Sequence, residues 1–290
     1  MSQVSLPDHA DAAETIWHYL FIVICAFVFL FLIAPILVVI PLSFNAEPYF
    51  TFNEEMLAFK ASAFSTRWYE DFWSKTIWRE SIENSLFIAF CATALATTLG
   101  TIAALGLSRP EMPFKGLVMG LLISPMIVPL VITAAGIFFF YAQMNDYVQL
   151  TGSYLGIILA HTVLGTPFVV ITVTATLTGF DHSLTRAGAM CGADPTTVFF
   201  KVILPLILPG IISGALFAFV TSFDEVVVVL FVASVDQQTI PRQMWAGIRE
   251  QISPTILAVA TILICISVAL LATVEMLRRR SERLRGLSPG

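Results

Sequence analysis

Two adjacent carboxylates, Asp224 and Glu225, interrupt a long run of apolar residues. Ionisable side chains in such surroundings cost free energy, so a role in binding an ion or a charged ligand is the first hypothesis for them. Paired negative charges would attract a cation, such as a protonated amine. A structural alternative stays open, in which the pair marks a helix end and reaches water or pairs with Arg242 or Arg249.

Several other side chains in or beside apolar segments could contact a cation. A lone histidine such as His161 either contacts a ligand or packs with a hydrogen bond to a neighbour. Aromatic rings can stack on cations, or they can pack against other helices or at the membrane surface. The candidates for a substrate pathway are Asp224, Glu225, Phe223, Tyr141, His161 and Trp245.

The composition requires a lipid environment for these residues. Of the 290 residues, 57% are hydrophobic and only 12% are charged, and the mean hydropathy is +0.86. A soluble domain of this length could not bury so much apolar surface. In a bilayer, apolar side chains on the outside of helices carry no such cost. The sequence therefore predicts an integral membrane protein.

Long apolar segments divide the chain into transmembrane helices. A spanning helix needs roughly 20 apolar residues, because the hydrocarbon core is about 30 Å thick and a helix rises about 1.5 Å per residue. The residues before the first segment are acidic, which argues against a cleaved signal peptide. The sequence predicts an all-α polytopic protein with about six spans, at Trp17–Leu42, Ser85–Leu107, Gly116–Tyr141, Tyr154–Leu177, Leu206–Val232 and Thr255–Leu277.

The distribution of Lys and Arg predicts the orientation. With six spans both termini lie on one side, and that side carries nine basic residues against six on the other. Since cytoplasmic loops are enriched in Lys and Arg, both termini are expected to be cytoplasmic. The predicted organisation is one permease domain over 1–290, with a cytoplasmic N-terminal tail 1–16, an external loop 43–84, a cytoplasmic loop 178–205 and a cytoplasmic C-terminal tail 278–290.

Motifs for independent chemistry are missing from the sequence. The four cysteines, Cys25, Cys91, Cys191 and Cys265, are scattered without a CxxC pair, so neither a disulfide nor a metal site is expected. The chain has no phosphate-binding GxxxxGK[ST] loop. No basic face for nucleic acid is present, and the short loops leave no room for a catalytic domain. We expect neither enzymatic activity nor a bound cofactor.

The loop before the fifth span has the local signals of two short helices at an angle. Ser183 can cap a first helix that Gly192 ends, and Asp194 can cap a second helix that has Pro195 in its first turn. The second helix leads into the membrane at Pro205. Such a loop, attached rigidly to a span, could transmit force from a cytoplasmic partner.

This loop resembles the signature of importer permeases that work with a periplasmic binding protein: Glu-Ala-Ala, three residues, Gly, nine residues, Ile, any residue, Leu-Pro. The spacing matches without a gap, but Arg replaces the leading Glu and Gly replaces the second Ala. In the family, the first short helix docks into a cleft of the ATPase subunit. The resemblance assigns this docking role to Arg186, Ala187, Gly188, Gly192, Val202, Leu204 and Pro205. Arg186 then implies an acidic contact on the ATPase.

The likeness extends to the second permease of spermidine/putrescine-type importers over residues 204–270, and more loosely over the N-terminal half. It implies the type I permease fold of ABC importers in the bacterial inner membrane. It also implies a second permease subunit, a periplasmic solute-binding protein and two cytoplasmic ATPases, which hold ATP and Mg²⁺. The implied substrate is a polyamine or a related cationic amine, with an opine or an aminophosphonate as alternatives.

Two other classes of membrane protein compete with this interpretation. A secondary transporter driven by an ion gradient would need coupling acids in mid-membrane and repeated halves. A membrane-embedded enzyme would need convergent His, Asp or Glu residues at catalytic spacing. Away from the span ends, the sequence has one acidic pair and one isolated histidine, which favours the ATP-driven importer.

Overall fold

The computed structural model is predominantly helical within the residues that it describes. Residues 1–10 and 285–290, which belong to the two predicted tails, lie outside them. The described residues are 11–109, 111–181, 183–250 and 253–284. In chain order the α-helices are α1 (Ala12–Leu42), α2 (Glu54–Leu57), α3 (Arg67–Ser74), α4 (Thr76–Leu107), α5 (Lys115–Ile127), α6 (Leu130–Met144), α7 (Tyr154–Thr178), α8 (Ser183–Met190), α9 (Pro195–Val198), α10 (Leu204–Phe223), α11 (Val227–Val232), α12 (Ile240–Glu250) and α13 (Thr255–Leu284).

Four helices of the described chain are long and apolar enough to cross a membrane. They are α1, α4, α7 and the continuous run Pro195–Phe223, which joins α9 to α10. The α5–α6 pair gives a fifth span if the two helices count as one. The described apolar part of α13, Thr255–Ala269, is shorter than a full span. The prediction of a polytopic all-α membrane protein is confirmed.

The third predicted span, Gly116–Tyr141, is wrong as a single helix. The structure divides it into α5 and α6, which meet at an angle of 105°. Val128 and Pro129 at the break have extended ψ angles of 135° and 128°. The residue before a proline is disfavoured in the α conformation, and Pro129 has no N–H for a helical hydrogen bond. Proline therefore breaks this span rather than bending it.

The fifth predicted span, Leu206–Val232, is also shorter in the structure. Helix α10 ends at Phe223, and Asp224 is its C-cap. A separate short helix, α11, follows after Val226. The predicted span is therefore interrupted between Phe223 and Val227 rather than continuous.

Helix α4 begins at Thr76, so the last residues of the predicted external loop 43–84 are helical. In the preceding segment, the Trp68 indole N–H donates to the carbonyl of Asn45 at 2.7 Å, and the Trp73 side chain is exposed. Tryptophan side chains with a hydrogen-bonded indole N–H or an exposed ring are typical of a membrane–water interface.

The chain forms two compact units. The first contains residues 1–75 and 247–290. Its helix α1 starts with a capping box between Asp11 and Glu14 and is apolar on every face, and most of its side chains are exposed. In the same unit, the Asp71 carboxylate accepts a hydrogen bond from the Thr255 hydroxyl at 2.7 Å and ties α3 to α13. An all-apolar exposed helix is suited to lipid.

The second unit, residues 76–246, packs α4, α7 and α10 against one another. Its core contains buried Ala96, Val169 and Ile207. Gly214 of α10 lies directly on α7, where an added Cβ would meet the Thr172 hydroxyl at 2.5 Å and Val169 Cα at 2.8 Å. Small residues at helix contacts let backbones approach closely in membranes.

Gly214→Leu is expected to destabilise the second unit, because the α7 backbone at Val169 cannot yield to a larger side chain. Overpacking of this kind costs about 1–3 kcal/mol. Thermal unfolding of the purified protein in detergent measures the effect. Gly136→Leu in α6 is the matched control, since nothing lies within 4 Å of a Cβ there. Equal unfolding temperatures for the two variants would contradict the close packing of α10 on α7.

Candidate functional site

The predicted docking segment folds as two short helices, α8 and α9, joined at Gly192. Gly192 has a φ of +82°, a left-handed conformation that side chains disfavour. Its N–H donates to Ala189 O at 2.9 Å, and the N–H of Ala193 donates to Gly188 O at 3.1 Å. These bonds satisfy carbonyls at the end of α8, as in a glycine C-cap. The predicted turn at Gly192 is confirmed.

The starts of the two helices differ from each other. Ser183 is the first residue of α8, and its hydroxyl donates to the Asp181 carboxylate at 2.7 Å, so the predicted capping role of Ser183 is wrong. Asp194 is the N-cap residue of α9 with Pro195 next to it, as predicted. Hydrogen bonds from the side chains of Thr197 and Thr196 lower the pKa of Asp194. A carboxylate is favourable at a helix N-terminus.

Helix α8 is held against α9 by a close contact at Gly188. A Cβ at Gly188 would lie 3.2 Å from a methyl group of Val198, which is tighter than an ordinary contact. From Val198 a π-helical turn, Phe199–Ile203, leads into α10 without a break. Val202 and Leu204 are half-buried along this run. Movement of α8 can therefore be passed to the membrane helix.

An open groove of about 910 Å³ lies beside α8. Its apolar wall includes Leu177 and Phe199, while Arg186 comes from α8. The loop after α4 adds Arg109 and Glu111, which were not among the residues predicted for docking. Arg186 and Ala187 are exposed. The exposed face of α8 can therefore reach a partner protein.

The carboxylates of Asp224 and Glu225 occupy different surroundings. Asp224 is exposed at the end of α10, whereas Glu225 is only 7% exposed. The Glu225 carboxylate accepts a hydrogen bond from the N–H of Val228 at 2.9 Å. Glu225 thus satisfies a backbone donor in the first turn of α11. The two neighbours have separate structural roles.

The α5–α6 break and the α10–α11 break meet at two adjoining cavities. One, of about 340 Å³, is lined by Asp224 and Glu225 from the α10–α11 break. The other, of about 390 Å³, is lined by Pro125 to Leu130 from the α5–α6 break. The cavities share Leu130, Thr221 and Glu225. Thr221 and Leu130 were not predicted from the sequence as site residues.

The remaining predicted pathway residues lie elsewhere in the second unit. His161 is buried and its Nδ1 lies 2.8 Å from the Ser222 hydroxyl. The buried Tyr141 hydroxyl donates to Gly156 O at 3.1 Å. Phe223 stacks on Phe219, and Trp245 is exposed on α12. The contacts of His161 and Tyr141 favour helix packing over contact with a solute.

Groups of three or more His, Cys, Asp or Glu that could hold a metal ion are not found among the residues described. The four cysteines are free thiols.

Comparison with known proteins identifies the family. A family model described as binding-protein-dependent transport system inner membrane component matches residues 96–283. The chain is 31% identical to the spermidine/putrescine transport system permease protein PotC of Haemophilus influenzae, over 88% of this chain and 95% of the relative. It is 32% identical to the putrescine transport system permease protein PotI of Escherichia coli K12, over 92% of this chain and 94% of the relative.

A solved structure shares the fold. The structure of a bacterial ABC transporter involved in the import of alginate aligns with a TM-score of 0.72 and 15% identity, covering 93% of this chain and 99% of that chain. The sequence relatives are transport permease subunits of the inner membrane rather than enzymes. The chain therefore belongs to the inner membrane components of binding-protein-dependent transport systems, the permease subunits of ABC importers.

Proposed function

We propose that this permease imports a polyamine or a related cationic amine, and that Asp224 contacts the amine on its way through the membrane. The observation that carries the proposal is the position of Asp224 in the lining of the cavity at the α10–α11 break, which adjoins the cavity at the α5–α6 break. The names of the relatives, which are putrescine and spermidine permeases, support the same class of substrate.

The lining of the cavities suits a polyamine chemically. Asp224 and Glu225 offer carboxylates that can form charge-assisted hydrogen bonds with protonated nitrogens. Leu130 and Leu164 provide apolar surface for methylene groups between the nitrogens. Phe168 adds an aromatic ring, which can attract a cation. Discontinuous helices around a polar site are typical of substrate sites in transporters.

The docking segment supplies the connection to ATP hydrolysis in this proposal. The exposed face of α8, with Arg186 and Ala187, binds a cytoplasmic ATPase subunit, and Gly192 sets the angle to α9. The continuous helix Pro195–Phe223 then carries the motion toward Asp224. This continuous helix contains Val202, Leu204 and Pro205. The close contact at Gly188 holds α8 against it.

The complete importer would contain this chain, a second permease, two ATPases and a solute-binding protein. ATP and Mg²⁺ bind to the ATPases, and this chain holds no cofactor. Both termini and the docking segment face the cytoplasm, as the distribution of Lys and Arg favours.

ATP-dependent uptake of labelled putrescine into proteoliposomes that contain the complete complex tests this function. Unlabelled spermidine should compete for uptake, whereas an opine or an aminophosphonate should not. Uptake of an opine or an aminophosphonate in place of putrescine would assign another substrate. Uptake without the ATPases, driven by an ion gradient, would contradict the proposed energy source.

A further inference from the structure

The loop 233–239 between α11 and α12 is held in place by a side chain from far away in the sequence. The amide group of Asn84 on α4 donates to the carbonyls of Asp236 and Gln238, both at 3.0 Å. The Asn84 side-chain oxygen accepts a hydrogen bond from the Tyr154 hydroxyl at 2.7 Å. Both functional groups of the Asn84 amide are therefore used to fix this loop.

Further hydrogen bonds hold both ends of loop 233–239. The Ser85 hydroxyl accepts from the N–H of Ile240 at 2.8 Å, and the Arg242 guanidinium donates to Ser234 O. The Gln237 side-chain oxygen accepts from the Ser234 N–H at 3.0 Å. On the other side, the N–H of Gly152 donates to Val232 O at 2.8 Å. The backbone of the loop is thus constrained along its length.

The fixed backbone presents two side chains to the outside. Val235 is 76% exposed, and Asp236 is exposed as well. In contrast, Gln237 and Thr239 on either side of Gln238 are buried. A loop that is ordered before binding loses less conformational entropy when a partner binds. An ordered loop with an exposed apolar side chain and an exposed acid is therefore suited to protein binding.

The loop lies at the opposite end of α7 from the docking segment. Tyr154, which contacts the loop, is the first residue of α7, and α8 follows its last residue, Thr178. The 25 residues of α7 span about 37 Å at about 1.5 Å per residue. If α8 faces the cytoplasm, loop 233–239 faces the external solution. It is also joined through the six residues of α11 to the break at Asp224.

We propose that Asn84 is a positioning residue that presents loop 233–239 as a preformed contact for the external solute-binding protein. Val235 enters an apolar recess of that protein, and Asp236 pairs with a basic group at its edge. The inference rests on the proposed function, which places α8 in the cytoplasm and therefore places loop 233–239 on the external side. A protein partner fits better than lipid, because insertion of Val235 into hydrocarbon would bring the neighbouring Asp236 carboxylate with it at a cost in free energy.

The test uses the complete transport complex in nanodiscs and titrates the substrate-loaded solute-binding protein while ATP hydrolysis is measured. Asp236→Arg is expected to raise the concentration for half-maximal stimulation about tenfold, as loss of one well-paired interfacial charge does. Hydrolysis without the binding protein should stay within about twofold, because the partner subunits perform it. Asp146→Arg is the matched control, an exposed acid on a neighbouring loop. An equal concentration for wild type and Asp236→Arg, or an equal shift in the control, overturns the proposal.

Asn84→Asp tests the positioning role, since it keeps the shape of the side chain but removes both N–H donors. Like Asp236→Arg, this substitution should raise the concentration of binding protein for half-maximal stimulation. Tyr154→Phe should have a smaller effect because only one hydroxyl is lost. If Asn84→Asp lowers hydrolysis with and without the binding protein equally, its role is only structural and the proposal fails.

Lipid is the competing occupant, and a fluorophore on Val235→Cys separates the two cases. The four native cysteines are first replaced by alanine in a background that retains uptake. A change of fluorescence on addition of the solute-binding protein supports the proposal, whereas quenching by brominated lipid overturns it. Absence of any stimulation of the wild-type complex by a solute-binding protein would instead contradict the proposed function, so the two failures are distinguishable.

Discussion

Gly192→Val is expected to reduce ATP-driven uptake about tenfold while the protein still inserts into the membrane. Gly192 has a φ of +82°, and a residue with a Cβ pays about 1–2 kcal/mol in this conformation, with a β-branched side chain at the upper end. Since about 1.4 kcal/mol is a factor of ten, the equilibrium constant between the correctly placed α8 and other arrangements falls by about that factor. Uptake and ATP hydrolysis by the reconstituted complex measure the loss.

The surroundings of Gly192 make the experiment specific. No atom lies within 4 Å of a Cβ at this position, so the effect of a larger side chain comes from the backbone rather than from a clash within the chain. Asn tolerates the left-handed conformation better than other residues with a side chain. Gly192→Asn should therefore retain most of the uptake. Normal uptake by Gly192→Val would count against the docking role of the turn.

Asp224→Asn is expected to raise the KM for putrescine by roughly tenfold or more, because hydrogen bonds to charged groups contribute about 1.5–3 kcal/mol. Asp224 is exposed at the cavity, and asparagine removes its charge with little change in shape. Initial uptake rates in proteoliposomes over a range of putrescine concentrations give the KM. A KM equal to that of the wild type would show that Asp224 only ends helix α10.

The neighbouring Glu225 provides the control for Asp224. Its carboxylate is buried and accepts the Val228 N–H. Glu225→Gln keeps an acceptor for this bond and should change KM less than Asp224→Asn does. Glu225→Ala removes the acceptor, and loss of a helix cap costs about 0.5–2 kcal/mol, so thermal stability should fall. A larger change in KM for Glu225→Gln than for Asp224→Asn would reverse the roles assigned to the two residues.

The amino-acid sequence by itself determined the membrane class, the two-helix form of the segment around Gly192 and the position of the acidic pair. Apolar segments of spanning length are local features, and lipid requires their backbones to be helical. The turn at Gly192 was likewise predictable, because a glycine C-cap followed by Asp194 and Pro195 depends only on neighbouring residues. The start of α8 was not predictable in this way, because the Ser183 hydroxyl donates to the Asp181 carboxylate instead of capping the helix.

Only the tertiary structure decided which functional residues meet. The break at Pro129 and the break at Asp224 lie far apart in the chain, and their two adjoining cavities depend on the packing of α5 and α6 near α10. Helix packing also decides the different burial of Asp224 and Glu225. It likewise brings Asn84 into contact with a loop 152 residues away. Hydrophobic patterns report the environment of each segment, whereas such contacts depend on how segments distant in sequence pack together.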